Sequence, residues 1–101
     1  MQNISVEELK KRKESGEELY ILDVREPDEY KESNMGALLI PLGQVINGQI
    51  DAIEDWKDKE VIVHCRSGKR SLTACLVLEQ MGFTNTKNLS GGILAWVELQ
   101  N

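Results

Sequence analysis

The chain has 101 residues and a mass of 11.4 kDa, enough to bury one hydrophobic core and too short for two. At 41% hydrophobic and 29% charged, its composition is that of a folded globular domain, neither disordered nor fibrous. Twelve Lys and Arg against seventeen Asp and Glu leave a formal charge of −5, which opposes contact with nucleic acid or an anionic membrane, and two Cys with one His are too few for a four-ligand Cys/His metal site.

In chain order, Met1 to Asn3 reads as a frayed end, and Ser5-Val6-Glu7-Glu8 has the form of a capping box, opening a short exposed helix that runs through Ser15 and stops at Gly16. Tyr20 to Val24 is a buried-strand pattern, with Arg25 and Glu26 at its carboxyl edge and Pro27 starting a helix. Leu38-Leu39-Ile40 before Pro41 reads as a second strand, and Leu42 to Ile53 as a loosely helical stretch weakened by Gly43 and Gly48. Glu60 to His64 is a short β-branched strand, followed by the loop Cys65 to Arg70 and an apolar helix from Ser71 to Met81 that Gly82 closes. Thr86 to Leu89 is a weak final strand, and Gly91-Gly92 opens a terminal helix with Ile93, Trp96 and Val97 on one face. Strands alternating with helices predict one α/β domain over residues 1–101, a parallel sheet covered on both faces. The opening residues lack the apolar stretch of a secretory signal, and no apolar run approaches the ~18 residues of a membrane span. The expected location is the reducing cytoplasm.

In open parallel sheets ligands bind beyond the carboxyl ends of the strands, and the strand ending at His64 delivers Cys65 there. Arg66, Lys69 and Arg70 concentrate positive charge beside this thiol, the following helix aims its free N–H groups at the loop, and Gly68 lets successive N–H groups of the Arg66 to Arg70 segment, Ser67 included, turn inward. Such surroundings lower a thiol pKa below its free value of about 8.5, making Cys65 a candidate nucleophile in a short cationic pocket, too tight for phosphate and wide enough for a second sulfur. Cys75, between Leu72 and Leu78 in the apolar helix, reads as core filling. His64 is expected to point away from the sulfur, because consecutive strand residues face opposite sides. Asp23 and Arg25 read as a structural pair, Trp56 and Trp96 as packing residues, and Lys10-Lys11-Arg12-Lys13 as a solvated helix face.

Four separated segments together resemble the single-domain rhodaneses over nearly the whole chain: Asp23-Val24-Arg25-Glu26-Pro27 with Glu29-Tyr30; Gly36-Ala37 with Ile40-Pro41-Leu42; Cys65-Arg66-Ser67-Gly68-Lys69-Arg70-Ser71; and Leu89-Ser90-Gly91-Gly92 with Trp96. One departure lies between Tyr30 and Gly36, where Ser33-Asn34-Met35 stands in place of the family's Gly-His-Ile and one further residue and is thus one residue shorter, a difference that bears on packing there and leaves the Cys loop intact. The resemblance implies a three-layer fold, with a central, mostly parallel sheet of about five strands between helices. It also implies transfer of sulfane sulfur: the Cys65 thiolate takes sulfur from a small anionic donor such as thiosulfate, becomes a persulfide, and passes the sulfur to a thiol or cyanide acceptor or to a sulfur-carrier protein. No cofactor beyond that covalent persulfide is implied, and Arg66, Ser67, Gly68, Lys69 and Arg70 form the substrate-binding loop.

Two other readings stand beside this one. The first is a phosphatase or arsenate reductase of the same fold; in the tyrosine-phosphatase signature five residues separate Cys and Arg, whereas here Arg66 to Lys69 make four. The second is a non-catalytic binding module, against which the intact Cys65 argues.

Overall fold

In the computed structural model, which describes residues 1–100, the Ser5 hydroxyl accepts a hydrogen bond from the Glu8 N–H at 3.1 Å and starts helix α1 (Val6–Glu14) as the capping pattern predicts. Before it, Gln2–Ile4 forms strand β1, which corrects the reading of the first residues as frayed. Three residues carry too little pattern to reveal a strand; pairing with another part of the chain creates it. Strand β2 (Tyr20–Asp23) leads to helix α2 (Pro27–Glu32), where Pro27 occupies the first turn and the Glu29 carboxylate accepts from the Glu26 N–H at 2.9 Å. The segment expected to be loosely helical splits at Gly48 into α3 (Leu42–Ile46) and a 3-10 helix (Asp51–Trp56), after strand β3 (Leu38–Leu39). Strand β4 (Glu60–His64) precedes α4 (Lys69–Gln80), which begins two residues earlier than the apolar pattern suggests. Strand β5 (Asn85–Leu89) and helix α5 (Gly92–Gln100) complete the fold.

All strand pairs are parallel, in the order β1-β5-β4-β2-β3. One face of the sheet packs Leu22, Val61 and Val63 against Val45 of α3, the 3-10 helix's Ile53, and Ala74, Cys75 and Leu78 of α4. The other packs Ile21, Ile62 and Leu89 against Val6 and Leu9 of α1 and Ala95, Trp96 and Leu99 of α5. The predicted three layers are present. Val97, expected on the buried stripe of α5, is 41% exposed; Ala95 and Leu99 take its place. Trp56 packs on the first cluster and edge-on to Tyr20, while Trp96 lies under the Lys13 ammonium. Arg12 is not a solvated member of the basic run: its guanidinium binds both Glu17 and Glu60, fastening α1 to the start of β4.

The shortened Ser33–Met35 segment is internally satisfied. The Asn34 amide donates to Tyr30 O at 3.0 Å and accepts from the Gly36 N–H at 2.9 Å, and the Tyr30 hydroxyl donates to Ala37 O at 2.7 Å. No helix of the described residues is long and apolar enough to cross a membrane.

The connection from β2 runs to β3 on one side of the sheet, whereas that from β4 runs to β5 on the other. Between β2 and β4 the winding therefore reverses, the loops leaving their carboxyl ends part, and a crevice opens at the sheet edge. Asp23 and His64 are paired residues at the ends of these two strands, and Cys65 is the next residue.

Candidate active site

Asp23 and Arg25 form the rigid floor beside the loop. Both are buried, and the Arg25 guanidinium donates to Asp23 Oδ2 at 2.7 Å and to Ser33 O at 2.8 Å, so the pair is structural, as the sequence suggests. His64 is fully buried, with Nε2 3.5 Å from Asp23 Oδ2 and Nδ1 3.3 Å from Cys65 O. Its ring faces the backbone and Asp23, not the Cys65 sulfur. Burial pushes its pKa below the ordinary value, outweighing the attraction of Asp23.

The Cys65 sulfur accepts from the Gly68 N–H at 3.2 Å and lies 3.4 Å from the Ser71 hydroxyl. Burial pushes the thiol pKa up, but the hydroxyl and N–H of Ser71 and the N–H groups of Gly68 and Ser67 outweigh it, leaving the pKa below the ordinary thiol value. The direction agrees with the sequence reading; the cause is narrower. Hydrogen bonds to the sulfur lower the pKa more directly than the surrounding side-chain charge does.

Of the three basic side chains, Arg70 is committed elsewhere, donating to both Glu29 carboxylate oxygens at 2.7 and 2.9 Å. Its charge acts on Cys65 only at a distance and is partly neutralised by Glu29. Arg66, Ser67 and Lys69 are exposed. Among the described residues Arg66 and Lys69 make no ion pair, so they carry the free positive charge. The open pocket expected over the sulfur is also corrected: Cys65 is 1% exposed. The sulfur forms the floor of a closed loop whose following residues face solvent, because the N–H groups that favour the thiolate must converge on it and so cover it. Beside this loop lies a cavity of about 220 Å³ lined by Arg25, Glu29, Glu32, Ser33, Arg66 and Leu94 among others.

The loop is held from below by the start of α5. Ile93 N–H donates to Cys65 O at 2.9 Å and Leu94 N–H to Arg66 O at 3.2 Å. Gly92 permits that approach: its φ is +58°, and a Cβ there would stand 2.4 Å from Arg66 O. Gly68 caps α4 in the left-handed region at φ +106°, which turns its own N–H toward the sulfur.

The Rhodanese-like domain family model matches residues 5–99, a span that takes in the crevice, Cys65 and the glycine turn that braces its loop. The chain is a rhodanese-like domain. Bacillus subtilis YtwF is 39% identical to it, the alignment covering 95% of this chain and 90% of that one. A protein of Allochromatium vinosum named sulfurtransferase is 37% identical over 92% of this chain and 85% of its own length. Among solved structures, a rhodanese-like domain protein from Staphylococcus aureus superposes with a TM-score of 0.84 at 29% identity, covering 95% of this chain and 91% of that one.

Ser71 and Asn88 are site residues that the sequence reading does not single out. Ser71 is fully buried and Asn88 is 6% exposed, and both belong to the hydrogen-bond network under the sulfur. A polar residue at an otherwise inward strand position, as Asn88 is beside Leu89, and a hydroxyl in the first turn of the helix after Cys65 were the available signals.

Cys75 is buried, and burial raises its thiol to about 11. Its setting is that of a core residue.

Proposed function

We propose that this rhodanese-like domain is a sulfurtransferase that carries sulfane sulfur on Cys65. The observation that supports it most is the set of donors converging on one sulfur atom with no imidazole directed at it. A nucleophile already ionised needs no general base. The thiolate attacks the outer sulfur of a donor such as thiosulfate; the S–S bond of the donor breaks and sulfite leaves with the electron pair. The resulting persulfide carries its charge on the terminal sulfur. A cyanide or thiolate acceptor then attacks that sulfur, and the Cys65 thiolate leaves with the bonding pair.

Donors aimed at developing negative charge contribute about 3 kcal/mol each in acyl transfer, and the N–H groups around Cys65 are suited to the same task for a persulfide anion. Free Arg66 and Lys69 at the loop surface favour an anionic donor or an acidic carrier protein. Access to a sulfur 1% exposed requires local opening of the loop at Arg66 and Ser67. The phosphatase reading is disfavoured because Arg70, the residue in question for cradling phosphate, is engaged by Glu29.

Incubation with thiosulfate and cyanide should yield thiocyanate, abolished in Cys65→Ala and retained in Cys75→Ala. Donor alone should add about 32 Da, reversible by a thiol reductant, to the peptide containing Cys65. Steady phosphate release from an aryl phosphate without thiocyanate formation would reverse the assignment.

A further inference from the structure

The Ser71 hydroxyl has one proton and two acceptors within reach. Its oxygen lies 2.5 Å from Asn88 Oδ1 and 3.4 Å from Cys65 Sγ, and a hydroxyl donates one hydrogen bond at a time. The Asn88 amide is fixed, because its Nδ2 donates to Gly68 O at 3.2 Å and toward Asn3 Oδ1 at 3.4 Å. A half-turn would set its oxygen against two acceptors. With Ser71 fully buried and Asn88 6% exposed, neither exchanges a lost partner for bulk water.

We propose that Asn88 is a positioning residue for the nucleophile, and that the Ser71 hydroxyl rotates between Asn88 while Cys65 holds its proton and the sulfur once that proton has left to solvent. In the thiol state the S–H donates to Ser71 Oγ and Ser71 donates to Asn88, a chain of three groups. In the thiolate state the hydroxyl gives a charge-assisted bond to sulfur, and Asn88 Oδ1 loses its donor. No O–H bond breaks at Ser71; the hydroxyl turns. Ionisation therefore leaves a buried amide carbonyl unpartnered, so Asn88 restrains the thiolate that the loop otherwise favours.

The same rotation would return the hydroxyl to Asn88 when negative charge moves to the outer sulfur of a persulfide, a step that rests on the proposed transfer function. The charged and titratable groups around the loop are Arg66 within it, Lys69 and Arg70 at the start of α4, the latter held by Glu29 of α2, and His64 on β4 beside Asp23 and Arg25 of β2 and its following loop. Among the described residues none of them hydrogen-bonds to Ser71 or Asn88.

The test is the pH profile of iodoacetamide alkylation, read by mass on the Cys65 peptide, for the native chain, Asn88→Leu, Ser71→Ala and the double variant. Asn88→Leu should lower the midpoint by about one pH unit, giving about tenfold more thiolate below it, and the shift should vanish when residue 71 is Ala. A midpoint unchanged or raised by Asn88→Leu, or lowered equally in both backgrounds, overturns the proposal. Should Asn88→Leu not fold, the side-chain carbonyl carbon of Asn88 is followed by NMR. It should titrate with the Cys65 midpoint in the native chain and lose that titration in Ser71→Ala; persistence in the variant overturns the proposal. Both measurements read ionisation alone, so their failure leaves sulfur transfer standing, while a chain that passes them and transfers no sulfur refutes only the transfer.

Discussion

Replacing Gly92 by Ala should damage the active-site loop without touching any of its side chains. The new Cβ would stand 2.4 Å from Arg66 O, 2.5 Å from Arg66 C and 2.6 Å from Cys65 O, all backbone atoms that no rotamer change can clear. A φ of +58° costs an Ala about 1–2 kcal/mol by itself. Relieving the overlap means separating α5 from the loop, which weakens the Ile93-to-Cys65 and Leu94-to-Arg66 hydrogen bonds, each contributing about 1 kcal/mol. The combined loss is about 3–4 kcal/mol. With a urea m-value of about 2 kcal/mol/M for a small domain, the midpoint should fall by about 1.5–2 M. Gly36 is the control: its φ is +82° but nothing lies within 4 Å of the Cβ position, so Gly36→Ala should show the conformational strain alone, about half the effect or less. The folded fraction of Gly92→Ala should also lose the depressed Cys65 thiol pKa, because the loop N–H groups no longer converge. Equal urea midpoints for the two variants, or a native alkylation profile in Gly92→Ala, would refute the bracing role of α5.

Removing Asp23 as Asp23→Ala leaves the Arg25 guanidinium, 4% exposed, without its counter-charge; a loss of about 3–5 kcal/mol in urea denaturation is expected. His64, the single His, has its folded pKa below the ordinary 6.5, so its contribution is fully present above pH 6.5 and is lost as pH falls toward the folded value. Stability should decline on acidification from that point, and His64→Gln should flatten the decline. Glu29, held by Arg70 at about 2 against an ordinary 4.5, contributes stability above pH 4.5 that disappears as pH falls toward 2. Because the pair is partly exposed, Glu29→Gln should cost less than about 1 kcal/mol at pH 7 in the same denaturation assay. Limited alkylation of the native chain at pH 7 should label Cys65 ahead of Cys75, whose thiol is buried and raised to about 11; peptide mass mapping would show the order.

The strands and helices that carry the site were legible where local rules act: the Ser5 cap, Pro27 at a helix start, and the β-branched run from Val61 to Val63 that leads into Cys65. Gln2–Ile4 was not, since an edge strand of three residues is defined by its partner β5 and not by its own pattern. The apolar pattern after Cys65 started the helix at Ser71 and left Lys69 and Arg70, its first two residues, in the loop, because charged residues add nothing to the hydrophobic period.

By itself the amino-acid order determined the fold class, the cysteine at the end of a strand and the basic, glycine-containing loop behind it, because each of these depends on neighbours along the chain. The partners across the chain were decided only by folding: Glu29 taking Arg70, Ser71 and Asn88 meeting under the sulfur, Gly92 bringing α5 against Cys65, and the thiol closing to 1% exposure. These contacts join residues on separate elements, and which elements meet is set by the winding reversal between β2 and β4 and by burial on the two faces of the sheet, which no local pattern encodes.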